Sequence, residues 1–326
     1  MILLTGGAGL IGSNILADLN AAGHTDVVLV DRLGTGGKWR NIAKHRFSDL
    51  IFPDEVVAFL EGRRNVSAVV HMGADSSTTA VDGDAMVLTN LRASMRLWDW
   101  CTEARCPFIY ASSAATYGDG TAGFDDRGEE EHLCTLRPLN LYGWSKHAFD
   151  RWAAERARRG EAPPRWAGLK FFNVYGPNEN HKGDMMSLVA KTFRTVVAGE
   201  PVRLFRSHRP DYADGEQLRD FVYVKDCSAV VLWWLGHASA GGLFNLGTGE
   251  ARSFRDLVLA LGAALGRNAA IDYVDMPPSI RDQYQYFTRA AMAKLRGAGY
   301  GAAFHSVEDG VRDYVRGYLA QPDPHR

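Results

Sequence analysis

Short apolar runs rich in β-branched and aromatic residues recur through the first two-thirds of the chain, at Ile2 to Leu4, Val27 to Val30, Ala68 to His71, Phe108 to Ala111 and Leu169 to Phe172. They are near-continuously apolar, as in strands buried on both faces, where an exposed sheet would alternate. Amphipathic stretches with helical spacing lie between them, including Ser13 to Ala22 and Thr89 to Ala104. Strand–helix alternation of this kind predicts an α/β fold: a doubly wound parallel sheet, covered by helices on both faces and joined by right-handed crossovers.

After about Val174 the pattern loosens. Pro177, Gly183, Gly199, Pro201 and Pro210 interrupt the chain, and polar loops lengthen. Helical patterns persist at Met185 to Ala198, Val224 to Leu235, Ser253 to Leu265 and Ser306 to Tyr318, while 221–224 and 242–246 read as short strands. We expect a dinucleotide-binding domain over 1–174, with later segments at about 219–250 returning to it. A smaller C-terminal α/β substrate-binding lobe would occupy most of 175–326.

Composition narrows the function classes. The 326 residues carry a formal net charge of −1, which gives no electrostatic footprint for nucleic acid or an anionic membrane. Cys101, Cys106, Cys134 and Cys227 form no Cys-x-x-Cys pair, and no His/Cys cluster has metal-ligand spacing, so no metal is expected. His71 and His181 stand far apart and lack carboxylates at ligand spacing. The first apolar run leads directly into a glycine turn, and Ala229 to Leu235 is too short to span a bilayer. A cytoplasmic enzyme is the expectation.

The glycine turn supplies the first chemistry. Gly6-Gly7-Ala8-Gly9-Leu10-Ile11-Gly12 follows a predicted strand and opens a predicted helix, and Asp31 ends the next strand. Gly6 permits the turn, Gly9 lets a phosphate approach the backbone, and Gly12 lets helix and strand pack closely: a Rossmann-type site for a nicotinamide dinucleotide. Leu10 and Ile11 would line it, Met72-Gly73-Ala74 would pass the adenosine or pyrophosphate, and Asn90 would reach its edge unless it is a helix-surface residue. Asp31 would accept hydrogen bonds from a ribose, favouring NAD. Arg32, Lys38 and Arg40 follow it and would favour the extra phosphate of NADP. The expectation is NADP, with NAD left open.

Tyr142 and Lys146 stand at i and i+4, on one helical face. A free tyrosine titrates near ~10 and is a poor base at neutral pH. A neighbouring ammonium and an oxidised nicotinamide would both lower that value. Ser113, at the end of a predicted strand, is placed to hydrogen-bond a substrate hydroxyl as it becomes a carbonyl.

With these motifs the whole chain resembles the extended short-chain dehydrogenase/reductase family, and within it the bacterial sugar-nucleotide epimerases that act at C6 of an ADP-heptose. The resemblance is carried by residues 5–9, 76–79, 110–118, 172–177, 181–183, 219–224 and 244–249; Ser76-Ser77-Thr78-Thr79 and His181-Lys182-Gly183 discriminate within the family. It implies transient oxidation of a sugar carbon to a ketone and its re-reduction on the other face. Two acid/base residues, Tyr142 and Lys182, would serve the two orientations, with Ser113 polarising the oxygen and Lys146 supporting the tyrosine and cofactor ribose. Val174 would touch the cofactor. Ser77, Asn173, Asp184, Lys191, Phe205, Arg219 and Tyr284 would face the substrate. For Arg219 a surface ion pair with Asp220 competes with that role, and for Tyr284 simple packing does. Asp75, Asp184 and Lys191 depart from the family pattern, as do a lengthened 206–218 segment and Pro53 near an expected cofactor-side lysine. A 4-epimerase of the same fold stays open. A 4,6-dehydratase is disfavoured, because Ala114 and Ala115 stand where it would carry an acidic pair. A catalytically silent NAD(P)-binding module would not need Tyr142, Lys146 and Ser113 together. A homo-oligomer is expected, through the helices around 89–104 and 142–157.

Overall fold

A computed structural model describes residues 1–237, 241–281 and 284–326. In chain order the strands are β1 (Ile2–Thr5), β2 (Val27–Val30), β3 (Asp49–Ile51), β4 (Ala68–His71), β5 (Phe108–Ser113), β6 (Trp166–Phe171), β7 (Asn173–Tyr175), β8 (Val202–Phe205), β9 (Leu218–Tyr223), β10 (Gly242–Leu246), β11 (Ala251–Ser253) and β12 (Ile271–Val274). The longer helices are α1 (Leu10–Ala21), α2 (Ala93–Glu103), α3 (Leu141–Arg158), α4 (Leu188–Ala198), α5 (Val224–His237), α6 (Phe254–Ala264) and α7 (Val307–Tyr314).

Seven strands form one sheet in the order β10-β6-β5-β4-β1-β2-β3. Every pairing in it is parallel. The continuous apolar runs follow from this, since successive side chains must fill two cores. Leu4, Leu29, Val70, Ile109 and Leu169 point to the face covered by Ile15, Leu16 and Leu19 of α1 and Val230, Val231 and Trp234 of α5. Leu3, Val28, Val69, Phe108 and Tyr110 point to the other face, against Leu97, Trp98 and Cys101 of α2 and Phe149 and Ala153 of α3. Each large apolar side chain so buried contributes about 1.5–3 kcal/mol relative to exposure.

The order in which strands are added reverses at β1, whose neighbours are β2 on one side and β4 on the other. The crevice beyond the carboxyl ends of β1 and β4 is therefore the place for a ligand.

The later chain builds smaller sheets, β11-β9-β7 and β12-β8. Of the two short strands expected there, β10 completes the edge of the large sheet beside β6, whereas β9 pairs with β7 and β11. A third apolar cluster joins Tyr175, Phe221, Tyr223, Leu257, Val311 and Tyr314, and it includes Leu10 at the start of α1.

Some boundaries differ from the sequence reading. The edge strand β3 escaped it because Asp49 is exposed and its neighbours are half-buried. The helix expected from Thr89 begins at Gly83 and passes through a wider π-turn at Val87–Arg92 before α2. The helix expected from Met185 begins only at Leu188, because Gly183 (φ 54°) breaks the preceding 3-10 segment and Ser187 caps α4. Among the described residues no helix is long and apolar enough to cross a membrane.

Candidate active site

The glycine turn is fixed by close backbone approach. Gly6 has φ +65°, and a Cβ there would lie 2.7 Å from the Gly73 nitrogen beyond β4. A Cβ on Gly12 would lie 2.1 Å from the Gly6 carbonyl oxygen. Gly9 is the N-cap of α1 without a side-chain cap, and the first helical turn carries no acidic residue. The amide end of α1 is thus left bare and electropositive beside a turn that no side chain can fill. That fits a pyrophosphate.

At the end of β2 the buried Asp31 carboxylate accepts from the amides of Ala8 (2.8 Å) and Arg32 (2.7 Å). It also accepts from Lys38 Nζ at 2.5 Å. Lys38 therefore stands at the end of β2, already neutralising Asp31. Arg32 turns outward to Asp54 (2.6 Å), with both side chains mostly exposed.

Behind the turn runs a buried polar chain. Thr5 Oγ1 accepts from the Gly73 amide (2.9 Å) and lies 2.6 Å from His71 Nδ1; His71 Nε2 lies 2.9 Å from Ser94 Oγ, which donates to the Asn90 carbonyl. Burial pushes His71 down to about 3, so the ring is neutral. Thr5 then donates to Nδ1, and Nε2–H donates to Ser94. Asn90 is buried, so the helix-surface alternative is wrong. Its carboxamide brackets the Asp75 backbone (2.8 and 2.9 Å) and reaches Ser145 on α3 (3.0 Å).

The tyrosine helix starts where it does because Asn140 caps it, accepting from the Gly143 amide at 2.8 Å. Gly143 packs tightly on the turn after Ser113; a Cβ there would meet the Ala115 oxygen at 2.7 Å. This approach sets Tyr142 beside the Ser113 side chain, which draws the phenol downward. Burial outweighs it, and with Asp150 holds the phenol above its ordinary value. Lys146 is not among the groups that shift the phenol; its ammonium donates to the Ala111 carbonyl at 2.8 Å. Burial in turn pushes Lys146 down to about 8.

Lys182 lies in the 3-10 segment Asn180–Met185. Its ammonium is lowered chiefly by burial and further by Lys191, against the pull of Glu179. Asn41 ties this segment to the glycine turn, donating to the carbonyls of Ala8 (2.8 Å) and Asn178 (3.0 Å) and lying 3.1 Å from His181 Nδ1. Burial pushes His181 down to about 4, with Lys38 and Lys182 as further causes. Among the described residues no hydrogen bond joins Lys182 to Tyr142 or Ser113.

Arg219, expected to face the substrate, is enclosed by aromatic rings. It is buried, donates to the carbonyls of Leu218 and Gln285, and stacks over Tyr284 (5.2 Å) and Phe254 (5.7 Å). The expected alternative of a surface ion pair with Asp220 is wrong. Asp220 is itself buried and accepts from the amides of Thr248, Gly249 and Ala290. Tyr284 packs edge-on to Phe205 at 6.3 Å, so these three residues share one wall. Asn173, Asp184 and Lys191 are exposed, Val174 is half-buried, and Ser77 folds onto its own loop through Asp75 and Thr79. The described residues contain no cluster of three or more metal-ligating side chains.

The sequence reading missed Asn41, Asn178, Asp150 and Lys170. Asp150 follows Tyr142 and Lys146 at the same spacing of four, a signal that was available; the other three lack a local one.

Comparison with known proteins agrees with this geometry. The model of the NAD dependent epimerase/dehydratase family matches residues 2–247. ADP-L-glycero-D-manno-heptose-6-epimerase of Nitratidesulfovibrio vulgaris is 49% identical over 328 residues, covering 100% of both chains. The Helicobacter pylori ADP-L-glycero-D-manno-heptose-6-epimerase structure superposes with a TM-score of 0.78 at 27% identity, covering 96% of this chain and 94% of that one. The Thermus thermophilus UDP-glucose 4-epimerase complex with NAD gives 0.73 at 28% identity, covering 95% and 96%.

Proposed function

The chain belongs to the NAD dependent epimerase/dehydratase family, and from that premise we propose that it inverts C6 of an ADP-glycero-manno-heptose by oxidation to a ketone and re-reduction. The observation that carries this reading is the 49% identity to a heptose 6-epimerase along the full chain, together with the Lys182 segment tied to the glycine turn. A bound nicotinamide dinucleotide supplies the two-electron oxidant and reductant. Gly6, Gly9, Gly12 and the α1 amides hold its pyrophosphate, and Lys38 and Arg32 favour NADP.

Ser113 hydrogen-bonds the C6 oxygen, and Tyr142 takes its proton as the carbon is oxidised. The bound oxidant's positive charge offsets the burial that holds the phenol up. Lys146 steadies the tyrosine and the cofactor ribose. After the ketone turns over in the site, Lys182 returns the proton on the opposite side, its depressed pKa suiting that exchange. Arg219 pairs with the diphosphate, since among the described residues no carboxylate forms an ion pair with the buried guanidinium. The free cysteines support a reducing, cytoplasmic setting. Exposed Leu88 and Trp144, on the helices expected to associate, support a homo-oligomer.

The test is incubation with ADP-glycero-manno-heptose and with UDP- and GDP-hexoses, reading product stereochemistry by NMR. Inversion at C6 is expected. Tyr142→Phe and Lys182→Ala should each reduce turnover by about a hundredfold or more. Inversion at C4 of a hexose, with no action on the heptose, overturns the substrate and spares the family.

A further inference from the structure

We propose that Asp150 and Lys170 are positioning residues, a buried ion pair that locks the strand end bearing Ser113 onto the helix bearing Tyr142 and Lys146. This rests on the reading of those three residues as the reacting machinery. Both side chains are fully buried, and Lys170 Nζ lies 2.7 Å from Asp150 Oδ2. Burying two charges is a large desolvation cost, so a pair at this depth invites an explanation beyond stability.

The geometry supplies one. Asp150 lies eight residues, two helical turns, beyond Tyr142 on α3. Its carboxylate accepts from Tyr110 OH (2.9 Å) and Ser112 Oγ (2.7 Å), both on β5. Lys170 on β6 is in register with Ser112 across the sheet. Its ammonium also donates to Thr116 Oγ1 at 2.7 Å, and Thr116 donates to the Ser113 carbonyl at 2.9 Å. Ser113 is thus held from both sides, through its neighbour Ser112 by Asp150 and through its own carbonyl by Lys170. Lys170 finally lies 4.9 Å from the centre of the Tyr117 ring, whose hydroxyl donates to Asn245 on β10 at 2.6 Å. One ion pair joins four elements directly beneath the reacting groups.

The pair also acts through charge. The groups feeling Asp150 are Tyr142, Lys146 and His147 on its own helix, Tyr110 on β5 and Tyr117 on the following turn, while Lys170 faces it from β6. The Asp150 carboxylate holds protons on both the Tyr142 phenol and the Lys146 ammonium. Removing its charge therefore lowers the phenol's midpoint.

The experiment compares the double variant D150N/K170M, near-isosteric and uncharged, with the charge-conserving Lys170→Arg and with Tyr142→Phe, folding being checked by circular dichroism and Tm. Turnover is read as kcat and KM. The phenol is titrated by ultraviolet difference between each protein and its Tyr142→Phe counterpart, which needs no substrate. The folded double variant should lose about tenfold in kcat at little-changed KM, with the phenol midpoint moved down. Lys170→Arg should keep the wild-type midpoint. Should the double variant not fold, Ser112→Ala and Thr116→Val each cut one link without touching charge and should lower kcat several-fold. Wild-type kcat and midpoint in the folded double variant, or wild-type kcat in both single-link variants, overturn the proposal. Undiminished turnover in Tyr142→Phe instead overturns the reading on which it rests.

Discussion

The smallest decisive feature is the pairing of Lys38 with Asp31. A free carboxylate at the end of β2 would bind the two hydroxyls of an adenosine ribose and repel a phosphate. Here the Asp31 carboxylate is spent on two backbone amides and the Lys38 ammonium, 2.5 Å away. The exposed Arg32–Asp54 pair nearby is worth little and costs little to open. A phosphate on the ribose would thus meet two cations and a neutralised acid. Lys38→Ala should weaken NADP binding by about tenfold and NAD binding far less, as one charge-assisted hydrogen bond is lost. Calorimetric titration of cofactor-stripped protein checks this. Equal losses for both cofactors would assign Lys38 to Asp31 alone.

At the scale of elements, the Asn180–Met185 segment is bolted to the glycine turn and α1. Asn41 spans the Ala8 carbonyl of the glycine turn, the Asn178 carbonyl and His181, while Asn178 donates to Ser13 on α1 at 3.0 Å. Glu179, fully buried, accepts from the Ser187 amide and hydroxyl at 2.6 Å each, holding the start of α4. Asn41→Ala leaves buried carbonyls unpaired, at a cost of about 1–3 kcal/mol. Hydrogen exchange should then quicken together in the glycine turn and in residues 178–187. Faster exchange in the turn alone would show that the two elements are not coupled.

This is also where the sequence stopped being readable. Parallel strands buried on both faces leave continuous apolar runs, so β1, β2, β4, β5 and β6 could be read directly. The glycine turn could be read because steric exclusion at Gly6 and Gly12 is local. Tyr142 and Lys146 announced themselves by spacing on one helical face. Asn41 and Asn178 did not, because their partnership joins positions 137 residues apart and neither sits in a periodic pattern. Lys170 lies within a run of apolar strand residues, and only the packing of α3 on the sheet gives it Asp150. The burial that raises the Tyr142 phenol likewise belongs to the folded molecule, which is why spacing alone suggested the opposite direction.

For the whole molecule, the two halves divide the work. The seven-stranded sheet presents the glycine turn, Ser113 and Tyr142 at the carboxyl ends of its strands, and the later chain brings Arg219, Tyr284 and the Lys182 segment. In the proposed cycle the hydrogen removed from a carbon would be returned to that same carbon. In that cycle only oxygen-bound protons would pass through Tyr142 and Lys182, and none would leave the carbon to solvent. The most direct test is turnover of ADP-glycero-manno-heptose in D2O, with the product followed by proton NMR. The account predicts inverted C6 that keeps its original protium. Deuterium incorporated at C6 during inversion would mean that a proton leaves the carbon to solvent, and would contradict it.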